Sequence, residues 1–158
     1  MNSSAGPQSL SVLTAERAAL QNFVALLERE QKMLMENLTD QLLDLSEQKS
    51  ADALNLNKLA DSRRALLQAN IPQLDAEAIR SWLTMHNPRG LAVWQEILGL
   101  AKRAQQLNQA NGELIQMKLR RNQQMLEVLS KAVNKANVYG RDGQTSFSPG
   151  SGRSLGSG

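Results

Sequence analysis

The chain has 158 residues, 41% of them apolar but only 3% aromatic, with no cysteine and a net charge of +3. That length allows one domain with tails, and the composition suits leucine and alanine packed between helices. Without cysteine there are no disulfides, thiolate metal sites or cysteine nucleophiles, and no run approaches the roughly 18 apolar residues that a membrane span needs.

The opening residues 1–8 read as a disordered lead. They carry no basic region and no apolar run of signal length, so a cytoplasmic protein without membrane insertion is expected. A first helix spans about 9–37, with Leu13, Leu20, Val24, Leu27, Gln31, Leu34 and Leu38 as its seam, widened by Phe23 and Leu26. The opposite face, with Glu16, Arg29, Glu30, Lys32 and Glu36, is expected to be solvated. Thr39 with Asp40 reads as a capping pair that opens a second helix over about 40–70. A helix continuous through 38–40 is the alternative, because no glycine or proline forces a break there. The second helix carries Leu42, Leu45, Leu56, Leu59, Leu66 and Leu67. Lys49, Asp52 and Arg63 fall on or beside that stripe, where long stems can pack while their charges reach water, and a Lys49–Asp52 pair suits the spacing.

Ile71-Pro72 ends the second helix, since proline disfavours helical geometry in the residue before it. A short helix over 75–85 puts Ile79, Trp82 and Leu83 on one face, and Asn87-Pro88 with Gly90 breaks the chain again. The last helix, about 90–136, is the longest. Alternate steps of three and four from Leu91 give Leu91, Trp94, Leu98, Ala101, Gln105, Asn108, Gly112, Ile115, Leu119, Asn122, Leu126, Leu129, Val133 and Ala136. This is a coiled-coil seam. At about 1.5 Å per residue such a helix is roughly 70 Å long, more than a compact globule can bury. Residues 140–158 form a glycine- and serine-rich tail that cannot bury enough surface to fold alone.

The expected architecture is an elongated antiparallel three-helix coiled-coil bundle. It has a short extra helix in the second connection and a disordered C-terminal tail, with 9–139 as the folded domain. Three helices leave the far end of the longest under-covered, over about 115–136. Leu119, Leu126, Leu129 and Val133 are then either core against the first two helices or an exposed partner surface. Asn108, Asn111 and Asn122 read as register-fixing seam residues or as direct contacts.

Charge divides along the chain. Residues 1–88 hold 8 Lys/Arg against 11 Asp/Glu, and residues 89–158 hold 10 against 4. Complementary pairing between helices accounts for this, as does a basic surface for an acidic partner. Catalytic and cofactor chemistry find no foothold. His86, the single histidine, sits beside Asn87-Pro88 in a loop; GRDG at 140–143 lacks the following helix that would hold an anion; the carboxylates are spaced as on solvated helix faces. The chain is not expected to be an enzyme or to need a cofactor or metal. Lys102, Arg103, Lys118, Arg120 and Arg121 come with no recognition motif or stacking aromatics, so no nucleic acid is expected.

The long helix carries one specific likeness. Asn108-Gln-Ala-Asn111-Gly112-Glu-Leu114-Ile115, then Asn122-Gln123, Leu126 and Leu129, then Tyr139-Gly140-Arg-Asp-Gly143-Gln144, resembles the FlgN family, and Leu45, Lys49, Leu59, Arg63, Leu66 and Leu67 agree. The likeness covers about residues 10–146. It implies a cytoplasmic chaperone of flagellar type III export that binds the C-terminal helices of the hook–filament junction proteins, keeps them unpolymerised and delivers them to the export gate and its ATPase complex. Ile115, Leu119, Asn122, Leu126, Leu129 and Val133 would bind the client. Tyr139, Gly140 and Gly143 would dock on the gate, unless Tyr139 is a packed helix-end staple. A monomer or weak dimer fits this role. A regulatory or structural coiled coil that holds another helical partner, or itself, is the rival reading.

Overall fold

The computed structural model describes residues 5–140, and every regular element in them is helical. Helix α1 runs Ala5–Met35, a 3-10 turn covers Thr39–Gln41, and α2 (Leu42–Gln68), α3 (Ala76–His86) and α4 (Pro88–Gly140) follow. Two compact units divide the chain, Met1–Gly112 and Glu113–Gly158.

The helix ends have local causes. Asn37 closes α1 in the left-handed region at φ 58°, which asparagine tolerates better than most residues. Its N–H reaches the Leu34 carbonyl at 3.4 Å and the Leu38 N–H reaches Met33 at 2.9 Å, the paired bonds of a Schellman ending. The turn between α1 and α2 is therefore made by Asn37. The expected Thr39–Asp40 capping pair does not open α2, whose N-cap is Gln41 without a side-chain bond. Asp75 caps α3 instead of joining it, accepting from the Ala78 N–H at 2.7 Å. Pro88 takes the first position of α4, where its missing N–H costs nothing.

Asn87 joins three helices. Its Oδ1 accepts from the Gly90 N–H at 3.1 Å, while its Nδ2 donates to the Gly6 carbonyl at 2.7 Å and to Ser9 Oγ at 3.1 Å. α1 begins at Ala5, four residues ahead of the expected start, and Gly6 and Ser9 there receive this side chain. A Cβ on Gly90 would meet Asn87 Nδ2 at 2.8 Å, so glycine is what lets the amide sit over the first turn of α4.

The core of the first unit comes in three clusters. Leu13, Leu20, Leu67, Ile71, Ile79, Leu83, Val93, Trp94 and Ile97 join all four helices. Val24 and Leu27 meet Ala104 and Leu107, and Leu26 and Met33 meet Leu45. Rising numbers along α1 meet falling numbers along α2: Glu16 bonds Arg63, and Glu30 bonds Lys49. They meet rising numbers along α4, from Arg17 on Glu96 to Leu27 on Asn111.

Burial shifts the seam of α4 by one residue. Val93, Ile97, Ala104, Leu107 and Asn111 are buried and Leu100 is half-buried, whereas Leu98 is 48% exposed and Ala101, Gln105, Asn108 and Gly112 face solvent. The expected polar seam through Gln105 and Asn108 is thus an outer face. Asn111 alone of the expected seam asparagines is buried. Its Nδ2 donates to the Leu27 carbonyl at 2.9 Å and Glu30 Oε1 at 2.8 Å, while its buried Oδ1 has no protein partner.

Two residues placed on the solvated face of α1 are in fact interior. Glu16 is 4% exposed and Glu30 6%. Arg63 Nε donates to Glu16 Oε1 at 2.8 Å with its guanidinium 4.9 Å from the Trp94 ring centre, and Lys49 Nζ lies 3.2 Å from Glu30. Lys49 therefore pairs across helices rather than with Asp52. These carboxylates are buried because each has a cation to meet it. His86 closes α3 rather than sitting in a loop, exposed and tilted against Trp82 at 4.9 Å between ring centres.

Candidate functional site

The described part of the second unit is helix, with α4 continuing to Gly140. Its apolar side chains are in the open. Ile115, Met117, Leu119, Met125, Leu126, Val128 and Leu129 are all exposed; Leu114, Lys118 and Ser130 are the half-buried positions between 113 and 132. Soluble surfaces scatter single apolar residues, but a contiguous set like this marks an interaction site.

Helical geometry sorts the set. At 3.6 residues per turn Ile115, Leu119, Asn122, Leu126 and Leu129 lie on one stripe. Met125 adjoins it, whereas Met117 and Val128 fall well round the helix, beside Arg121. Met117, Met125 and Val128 were absent from the expected docking set. Met125 could have been found, because it stands one turn from both Asn122 and Leu129, beside the seam. Methionine is unbranched and polarisable, so Met117 and Met125 can adapt to partner side chains of differing shape.

Five of the expected site residues have side chains among the described ones. Ile115, Leu119, Asn122, Leu126 and Leu129 come together on the exposed stripe. The side chains of Val133, Tyr139 and Gly140 lie outside the described residues, as does Gly143. Among the described residues no group of three or more His, Asp or Glu could hold a metal ion, and no helix is long and apolar enough to cross a membrane. What this geometry can do is pack a helix: it offers exposed van der Waals surface along one stripe.

The FlgN protein family model matches residues 7–146, nearly the whole chain. The chain belongs to the FlgN family. Its curated FlgN relatives include the flagella synthesis proteins FlgN of Salmonella typhimurium and Salmonella typhi, each 35% identical over 115 residues, covering 73% of this chain and 72% of the relative. The flagella synthesis protein FlgN of Escherichia coli is 45% identical over 53 residues, 34% of this chain and 38% of that protein. No solved structure matches this chain significantly. The match takes in both the buried clusters of the first unit and the exposed stripe of the second.

Proposed function

We propose that this FlgN-family chain is a flagellar export chaperone that captures the C-terminal helices of the hook–filament junction proteins in the cytoplasm, prevents their early assembly and hands them to the type III export gate. The relatives are named as flagella synthesis proteins, and the resemblance of the 108–144 segment points the same way. One observation carries the docking part: seven large apolar side chains stand exposed between Ile115 and Leu129 on one helix. In this reading Ile115, Leu119, Asn122, Leu126, Leu129 and Val133 lay their face against a client helix, in helix-in-groove fashion. In this reading the chain is a monomer or weak dimer until the client arrives. Each apolar anchor buried contributes on the order of 1.5–3 kcal/mol before ordering costs.

Truncation after Gly112 tests this. All three core clusters lie within residues 1–112, so the truncated protein is expected to keep a cooperative helical melt. It is expected to lose junction-protein binding in calorimetry. Binding at full strength would move the site to α1 and α2.

Delivery is a separate step. Tyr139, with Gly140 and Gly143, is proposed to dock on the export gate, since tyrosine joins a large apolar face to a hydroxyl and so anchors modest contacts well. Tyr139→Ala is expected to keep client affinity within about twofold, roughly 0.4 kcal/mol, while lowering secretion of junction protein in cells. Unchanged secretion would discard the docking role.

A further inference from the structure

We infer that Asn122 sets which helix the stripe accepts: the partner must bring an asparagine or glutamine to the layer opposite it. This rests on the docking reading above and adds to it the side chain that the partner helix needs at its centre.

Asn122 is the one polar member of the five-residue stripe. Ile115 and Leu119 stand seven and three residues before it, and Leu126 and Leu129 four and seven after it, so two apolar positions flank the amide on each side. All five are exposed in the free chain, where water meets the amide. A helix that closes over the leucines covers the amide with them, and a covered amide without hydrogen bonds weakens the complex. An all-apolar partner is therefore disfavoured, and one that answers the amide is selected.

The same helix shows what such an amide needs. Asn111, eleven residues earlier on α4, is 1% exposed. Its Nδ2 donates to Glu30 Oε1 at 2.8 Å and to the Leu27 carbonyl at 2.9 Å, both on α1. A carboxylate only accepts, so Glu30 serves Nδ2 while the Asn111 Oδ1 has no protein partner. Glu30 is also buried with Lys49 at 3.2 Å, so a carboxylate in this role brings a need for a cation. A primary amide both donates and accepts, and one Asn or Gln side chain can answer both ends of Asn122 without a counter-ion. The pair also fixes the partner along its axis, because a slip of one turn sets each amide against an apolar residue. A second copy could oppose Asn122 to Asn122. The stripe, however, runs only two heptads from Ile115 to Leu129, short of the roughly three to four that a self-sustaining coiled coil needs. A foreign helix can set larger side chains against the same four apolar residues.

The test uses the full chain and a synthetic peptide, the C-terminal segment of a hook–filament junction protein. Wild type, Asn122→Leu, Asn122→Ala and Leu126→Asp are titrated with the peptide by calorimetry, and each is sedimented alone. Leucine and alanine are better helix formers than asparagine, so both Asn122 variants keep the helix. The sign of the effect decides. Asn122→Leu is expected to weaken the peptide about tenfold, about 1.4 kcal/mol, although it adds apolar surface, because it leaves the partner's amide buried and unpaired. Asn122→Ala shifts binding in the same direction. Replacing the peptide's Asn and Gln residues by Leu, one at a time, is expected to find one change that restores binding to Asn122→Leu. If both Asn122 variants bind as tightly as wild type or tighter while Leu126→Asp loses the peptide, docking stands and the amide selection falls. If no amide change in the peptide restores binding, the partner answers Asn122 with another group and the amide pair is overturned. If Leu126→Asp binds normally, the docking reading itself is wrong and this inference goes with it. If wild type alone sediments as a dimer that Leu126→Asp abolishes, the occupant is a second copy, which overturns a foreign partner.

Discussion

Leu126→Asp combined with Leu129→Asp is expected to abolish capture of the junction proteins while leaving the free chain folded. Leu126 is 65% exposed and Leu129 54%, so neither supports the core before a partner arrives. On exposed helix, aspartate costs about half a kcal/mol relative to leucine through propensity alone. In a closed interface the same change removes an apolar anchor and buries an unpaired carboxylate, which costs several kcal/mol per site. We expect affinity to fall at least 100-fold, about 2.7 kcal/mol, with the helical signal and melting midpoint nearly unmoved. A large fall in the midpoint would show that both leucines are core, and the docking assignment would have to be withdrawn.

Arg63→Ala is expected to be the most destabilising single change in the first unit. The pair it breaks is shielded from water, with the side chains of Arg63 and Glu16 only 14% and 5% exposed. Alanine leaves the Glu16 carboxylate buried without its cation, and it removes the guanidinium that covers the Trp94 ring. Such a change costs about 3–5 kcal/mol, a large part of the roughly 5–15 kcal/mol that holds a typical domain together. Thermal melts followed by circular dichroism should show the midpoint lowered by on the order of 15 °C. The double change Glu16→Leu with Arg63→Met should recover most of the loss, since an apolar pair of similar volume needs no counter-ion. If Arg63→Ala costs less than about 1 kcal/mol, the range of an exposed ion pair, the pair is solvated and the buried reading is wrong.

The helices themselves were legible because their apolar spacing is regular and proline marks two of the breaks. The phase of α4 was not. Its first part has Leu91, Val93, Trp94, Ile97, Leu98 and Leu100, so two adjacent stripes score equally well, and only packing in the cluster with Leu13, Leu20 and Leu67 selects one. Glu16 and Glu30 were misplaced because an acidic residue on an amphipathic helix normally faces water. The signal that could have corrected this lay in α2, where Arg63 and Lys49 interrupt a leucine stripe and needed counter-ions from a neighbour. What Asn37 did not announce was the left-handed closure of α1, because asparagine permits that backbone without demanding it. The exposed stripe at Ile115–Leu129 was legible for a simpler reason: too few helices remained to cover it.

The two buried ion pairs stand at equal intervals. Glu16 and Glu30 are 14 residues apart on α1, as are Lys49 and Arg63 on α2, so both pairs close together when the hairpin is aligned. Fourteen residues is two heptads, about 21 Å of helix. Between these points α2 buries no side chain fully, since Leu45 and Leu67 are its buried residues, and leucines half in contact tolerate sliding. The charges do not. A hairpin that zips one heptad out of step would strand four ionised groups among leucines. A slip of two heptads would still leave one acid and one base unmatched. The pairs thus work as a vernier, penalising misaligned closures during folding more than they deepen the native state.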